Sequence, residues 1–293
     1  MDGLIVIDKP CGKTSHDMVY FVRRLFGIKK VGHTGTLDPD ASGVLPVCIG
    51  RATKAADMLT ASNKAYRAQL VLGMTTDTLD ASGEILTEQP VTASKEEIEN
   101  AIKSFIGEID QIPPMFSAIK QGGKKLYELA RSGITVEREK RRVTIYNIEI
   151  IETDTENHTV TIDVSCSKGT YIRTLCEDIG AKLGCGAYMN TLVRTKSADF
   201  TLADAYTPEQ LMKMKESGTL ESAVIPVDKL FKDCKKVVLN SFLAEKAKNG
   251  VKIRRSGLNE GEMYRVYGEN GEFLCLSKYT GGALALEKAF WTV

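Results

Sequence analysis

The sequence predicts an α+β protein, in which helices stand among paired strands and a small β-rich module closes the C-terminal end. Three observations predict it. Residues 143–151 and 159–165 alternate or run apolar with β-branched side chains and are placed to pair as antiparallel strands, and 63–73 alternates as a half-buried strand. Cap and stop residues mark helices that begin near Ser15, Ser94 and Thr207 and after Thr170. Beyond residue 236 the composition shifts to closely spaced strands, with Glu269-Asn270-Gly271-Glu272 as a type I′ hairpin signal.

Residues 3–8 read as a short buried strand. Gly12-Lys13-Thr14 then invites a phosphate-loop reading, which fails because Ile7 stands where that pattern requires a glycine. Ser15 caps a helix with Met18, Val19, Val22 and Phe26 inward and Gly27 as its stop. Gly32-His33-Thr34-Gly35-Thr36-Leu37-Asp38-Pro39 is a loop of fixed shape, because two glycines, two threonines and a proline oppose regular structure. It carries one imidazole, His33, and one carboxylate, Asp38, which Pro39 biases away from helical angles. The strand expected near 44–50 would give that loop a rigid base. Taken alone, the loop serves equally well as an ordinary turn that needs Asp and Gly for its backbone.

Along 63–73, Tyr66, Ala68, Leu70 and Leu72 share one face. Thr76 to Gly83 is a second polar loop, and Ser94-Lys95-Glu96-Glu97 is a capping box for a helix that runs to Gly107. Gln111-Ile112-Pro113-Pro114 breaks regular structure, and 124–131 follows as a short helix. Ser167 to Thr170 is a turn that delivers Tyr171-Ile172-Arg173 into a helix with Leu175, Ile179 and Leu183 inward. Past residue 236 come a helix at 241–249, the basic run 252–255, and strands at 263–268, 273–278 and 283–292.

A chain of 293 residues suggests about two domains. Its 43% hydrophobic and 26% charged content is ordinary for a globular protein. No apolar run is long enough to span a bilayer, and the N-terminal stretch lacks the basic segment of a signal peptide, so a cytoplasmic protein is expected. The seven cysteines form no C-x-x-C pair, and the three histidines show no metal-ligand spacing. A metal-free site is therefore expected. Net charge is only +1, but residues 117–146 hold eight basic side chains against three acidic ones, while 77–110 is acidic. Such a basic strip suits a phosphate backbone, although an isolated charge run is more often a solvated face.

Four polar features stand out: His33 with Asp38, Tyr66, Asp80, and Tyr171 with Arg173. An arginine beside an aspartate would keep it ionised and aim it, and a tyrosine nearby can stack on a flat substrate. Plain core aromatics are the alternative for both tyrosines. The loop 32–39, with Gly43-Val44-Leu45-Pro46 behind it, closely resembles the signature of the TruB family, the bacterial tRNA pseudouridine-55 synthases. Lys9-Pro10, Lys64-Ala65-Tyr66, Thr76 to Asp80, Pro113 to Ala118 with Lys120, and Gly169 to Leu175 resemble further family blocks in family order, over roughly residues 1–200. One departure follows Leu192-Val193-Arg194-Thr195, where many members have a glycine and this chain has Lys196.

The resemblance implies a mixed α/β core around a bent, largely antiparallel sheet. It implies a catalytic domain over 1–235, with an RNA-gripping insertion at about 75–145, and a PUA-like RNA-binding module over 236–293. Asp38 matches the catalytic aspartate, Arg173 its partner, and Tyr66 the tyrosine that stacks on the base and helps the proton step. Tyr171 and Leu192 match residues of the uracil pocket. His33 matches a T-loop contact, Arg194 counts among the substrate-binding residues, and Asp80 would hold RNA or a neighbouring loop. Arg173 is expected to lower the Asp38 pKa. The reaction needs no metal, nucleotide or redox cofactor. The T-arm of tRNA is the implied partner of a monomer with no obligatory protein partner and no membrane contact. An RNA-folding protein with incidental catalysis is the alternative. A relative that works in a guide-RNA particle is disfavoured by the 76–83 loop and the basic 117–146 segment.

Overall fold

The computed structural model describes residues 1–291. Its first strand, β1 (Gly3–Lys9), is nearly all apolar and buried. Helix α1 (Ser15–Phe26) follows, capped by Thr14 in a reciprocal capping box with Asp17 and stopped by Gly27 at φ 67°. Thr14 thus takes the capping role expected of Ser15, which is turned inward. Gly32 and His33, expected in a loop, end a short strand, Val31–His33, that pairs with β2 (Ser42–Ile49). Next come α2 (Ala56–Thr60) and β3 (Lys64–Leu72). The polar 76–83 loop joins the arms of a hairpin, Met74–Thr76 with Ile85–Glu88.

Helix α3 (Lys95–Lys103) has the expected Ser94–Glu97 capping box, and β4 (Gly107–Gln111) adds a strand that the sequence did not announce. After α4 (Leu126–Arg131) come the antiparallel pair β5 (Arg141–Asp154) and β6 (Thr159–Cys166), then α5 (Ile172–Leu183). Strand β7 (Ala187–Ser197) was also unannounced. Its ladder with β3 slips between Met189 and Thr191 and again between Arg194 and Lys196. Each bulge throws the in–out alternation out of phase, so the period of two that marks a strand is absent from the sequence. Helix α6 (Pro208–Glu216) completes this part, with Thr207 as cap and proline at its start.

The large sheet runs β1–β2–β7–β3–β6–β5–β4, with Ile225–Pro226 beyond β1. Among the described residues every ladder of this sheet is antiparallel except β2 with β7, which is parallel at Ser42–Gly43 against Val193–Arg194. That junction joins the two halves. Gly43 sits there at φ 102°, and a β-carbon on it would lie 2.3 Å from the Arg194 carbonyl oxygen. Strands β1 and β2 are buried on both faces, which explains their unbroken apolar runs. Ile5, Ile7, Leu45 and Val47 join a core with α1, while Leu4, Val6, Val44 and Cys48 face the other way.

That second face is covered from the C-terminal end. Strands β8 (Lys235–Leu239), β9 (Met263–Gly268), β10 (Phe273–Thr280) and β11 (Ala283–Ala289), with Ile253–Arg254, form a separate five-stranded sheet, and helix α7 (Ser241–Lys248) follows β8. Leu276 and Phe290 from this module pack into the cluster of Leu4, Val44 and Cys48. The β9–β10 turn departs from the type I′ expectation. Gly271 N–H donates to Gly268 O at 3.0 Å and only Gly271 has positive φ, so the loop is a turn followed by a left-handed glycine. Glu269 is drawn away to accept from Ser241 N–H and Oγ at the start of α7. The last strand, expected over 283–292, runs Ala283–Ala289, and Thr292 lies outside the described residues.

Candidate active site

Asp38 stands on the connection into β2, and three buried polar side chains hold that connection from below. Lys9, wholly buried, donates from Nζ to Pro39 O at 3.1 Å and Pro10 O at 3.0 Å, and also to Lys13 O. Ser15 Oγ donates to Leu37 O at 3.0 Å and accepts from Leu37 N–H at 2.8 Å. Arg194, 1% exposed, donates from Nε to Val44 O at 2.7 Å and from its terminal nitrogens to Gly35 O and Thr36 O. Burying a guanidinium or ammonium costs several kcal/mol unless its donors find acceptors, so these carbonyls fix the loop's path as firmly as they satisfy the cations. Arg194, expected to bind substrate, holds the loop in place and also borders the space in front of Asp38.

Arg173 lies in the first turn of α5 with its side chain 6% exposed. Its Nη2 is 2.9 Å from Asp38 Oδ2 and donates to Phe116 O at 2.9 Å. Its Nη1 donates to Thr78 O at 3.2 Å and faces Asp80 Oδ2 at 3.4 Å. One guanidinium thus collects the Asp38 loop, the 76–83 loop and the Pro113–Ala118 segment. The other oxygen of Asp80 accepts from Thr78 Oγ1 and from Ser82 N–H and Oγ, which closes its own loop. Leu79, next to Asp80 in this loop, has φ 64°, an uncommon conformation for a leucine.

The Asp38 side chain is 41% exposed at one side and enclosed by protein on the others. That enclosure raises its pKa above the ordinary value; Arg173 pulls the other way, and Asp80 pushes with the burial. The net direction reverses the sequence expectation of a lowered pKa, because the cost of burying the charge outweighs the pull of Arg173, and the nearby Asp80 charge adds to it. The result is a carboxylate aimed by an arginine yet more basic than a solvated one.

Asp38 opens into a cavity of about 700 Å³ whose walls include Tyr66, Tyr171, Leu192 and Arg173. Tyr66, on β3, has its pKa raised by burial, as has Tyr171, so both remain neutral phenols near neutral pH. Gln111, 1% exposed, clamps Tyr171: its amide donates to Tyr171 O at 3.2 Å and accepts from Tyr171 N–H at 3.0 Å. His33 does not line the cavity. Its Nδ1 accepts from Gly35 N–H at 3.2 Å and burial lowers its pKa, so it is a neutral ring beside the loop. Lys64 and Arg141 also line the cavity. Burial lowers the Lys64 pKa to about 8, and its Nζ donates to Thr60 O and Ser62 O.

The sequence names Ser15 as a helix cap, Gln111 in a structural break and Lys64 in a family block, but assigns none of them to the site. Lys64 could have been assigned there, since a charged residue at an inward position of an alternating strand must have partners. Ser15 and Gln111 carry no such mark.

Comparison with known proteins points one way. The model of the TruB family pseudouridylate synthase N-terminal domain matches residues 23–172, and that of the tRNA pseudouridylate synthase B C-terminal domain matches 173–232. The chain is 53% identical over 86% of its length to tRNA pseudouridine synthase B of Alkaliphilus oremlandii, 83% of which is covered. It is 48% identical to the protein of that name from Clostridium perfringens, over 98% of both chains. With that of Bacillus subtilis identity is 43% over 95% of this chain and 93% of the relative. Among solved structures, a Cbf5–Nop10–Gar1 complex contains a chain with TM-score 0.74 and 29% identity, covering 99% of this chain and 85% of that one.

Proposed function

The chain belongs to the TruB family of pseudouridylate synthases, and we propose from that premise that it converts uridine 55 in the T-loop of tRNA to pseudouridine, with Asp38 as the catalytic carboxylate. The observation that carries this reading is the Asp38–Arg173 pair, 2.9 Å apart at the floor of an aromatic-walled cavity. In the reaction the N1–C1′ bond breaks, the base turns, a C5–C1′ bond forms, C5 gives up its proton and N1 gains one. No electron is lost and no group is imported.

The target nucleotide must leave its stack, at a cost of a few kcal/mol that an enclosing pocket offsets, and loop nucleotides are the cheapest to extrude. Tyr66 and Tyr171 are suited to hold the base flat, and Leu192 to cover it. Asp38 acts as nucleophile or as base toward the sugar, and its raised pKa favours either role provided the group stays ionised. Arg173 supports the charged form. The exposed cations of 117–146, Arg141 and Arg142 at the cavity among them, are placed to grip the phosphates of the T-arm.

The test is tritium release from tRNA transcripts labelled at uracil C5. Release from the complete transcript, and none from one that lacks the T-loop target uridine, is the expected result. Tight binding without release from either would favour the RNA-folding alternative and remove Asp38 from its role.

A further inference from the structure

Arg138 belongs by sequence to the basic strip, but it does not point outward with the other cations. It is half-buried, its Nη1 donates to Pro113 O at 3.0 Å, and its Nε is buried with no protein acceptor. Its charge also acts on Glu177 of α5, whose pKa burial raises and Arg138 opposes. A guanidinium turned inward at the stem of an otherwise solvated insertion has lost hydration that phosphate contacts alone would not require.

Pro113 opens a short, stiff segment. Two prolines limit its backbone, Ser117 N–H closes a tight turn onto Met115 O at 2.9 Å, and Phe116 O takes the Nη2 of Arg173 at 2.9 Å. Tyr127 N–H of α4 donates to Ser117 O at 3.1 Å, so the insertion is fastened to the same segment from its other side. The segment therefore has one end on Arg138 and the other on the arginine that aims Asp38.

We propose that Arg138 is a positioning residue for the Asp38–Arg173 pair. It sets the Pro113–Phe116 segment, and so couples the insertion that would receive RNA to the geometry of the carboxylate. The inference rests on the proposed pseudouridylation and goes beyond it, because it assigns a residue of the basic strip to the chemical step rather than to affinity. A displacement of a catalytic group by about 1 Å can cost two orders of magnitude in rate, so a hydrogen bond two links away has enough leverage to be measured.

The experiment is single-turnover pseudouridylation of a tRNA transcript at saturating enzyme, with the Kd for the same transcript measured by filter binding. Wild type, Arg138→Ala and Arg138→Lys are compared, each checked by thermal melting. The expected result is that Arg138→Ala slows the single-turnover step by about tenfold or more while Kd changes less than about threefold, a loss confined to the chemical step. Arg138→Lys, which keeps a donor for Pro113, recovers most of the rate. An unchanged rate with weakened binding would make Arg138 an ordinary phosphate contact and overturn the inference. So would a lysine variant as slow as the alanine one. If Arg138→Ala does not melt cooperatively, Arg138→Gln takes its place under the same criteria. Absence of product with wild type would instead overturn the proposed function, which keeps the two failures distinct.

Discussion

The loop that carries Asp38 touches Arg173 directly and the insertion that carries the exposed cations reaches it through the Pro113–Phe116 segment, yet the two are held in opposite ways. The loop is tied by Lys9, Ser15 and Arg194, all 2% exposed or less, and every tie is to backbone. The insertion holds on by little: a two-residue hairpin at Lys120–Gln121 and Lys124–Lys125, one six-residue helix, and Leu126 as its fully buried apolar side chain between residues 119 and 142. Buried donors on backbone carbonyls leave a catalytic group one position. Solvated cations on a thinly anchored segment can follow an irregular polyanion. On the proposed reading, the chemistry would sit on the part of the molecule that cannot adjust, and the gripping on the part that can.

The contrast is broken most severely by Asp38→Asn, which keeps the shape of the loop and removes the carboxylate. Turnover in the tritium assay is expected to fall about a thousandfold or more, with tRNA affinity changed only a few-fold. Persistent turnover would place the catalytic group elsewhere. Deleting the chain beyond residue 235 comes next. Leu276 and Phe290, 0% and 3% exposed, would leave the cluster that backs β1 and β2, at about 3–6 kcal/mol for the two. Against a total stability of about 5–15 kcal/mol, a large drop in melting temperature is expected, beyond any loss of affinity. An unchanged melting curve would make the module an appendage.

Arg194→Lys sharpens the comparison on the loop side. Lysine cannot serve three carbonyls in a planar fork, so a loss of about 2–3 kcal/mol in chemical denaturation is expected, together with reduced turnover. On the insertion side, the double change Arg141→Ala, Arg142→Ala is expected to weaken tRNA binding about tenfold and to flatten its dependence on salt. The single-turnover rate at saturation should change far less than in Arg138→Ala.

The smallest effect concerns α5, which bears Arg173. Burial raises the Asp178 pKa to about 6, and neighbouring Glu177 adds to the shift. A carboxyl whose folded pKa lies above its unfolded one is favoured protonated, so its contribution to stability is greatest below about pH 4 and is lost as pH rises through about 6. Asp178→Asn should therefore stabilise the protein by about 1 kcal/mol near pH 7.5, allowing for the solvent around a half-buried group, and do nothing near pH 4. A gain at pH 4 equal to that at 7.5 would show that the cause is not ionisation.

The sequence by itself determined the elements whose signals are local. Apolar runs gave β1 and β2, the Ser94–Glu97 capping box gave the start of α3, the cap assigned to Ser15 placed the start of α1 to within a residue, and glycine marked where the first helix ends. It also supplied the family, because the loop around Asp38 and the blocks near Tyr66, Asp80 and Arg173 are contiguous stretches. What it could not supply depends on residues far apart in the chain. Strand β7 was hidden because two bulges dephase its alternation, although β7 is the strand that joins the halves of the sheet. That Arg173 is shared between Asp38 and Asp80, and that burial leaves the Asp38 pKa raised in spite of it, follows from three segments meeting at one guanidinium. That Arg194 and Arg138 face inward while Arg141 and Arg142 face outward cannot be read from four identical letters. Local propensity is written residue by residue, whereas burial, shared charge and the direction of a long side chain are decided only when distant parts of the chain compete for the same few ångströms.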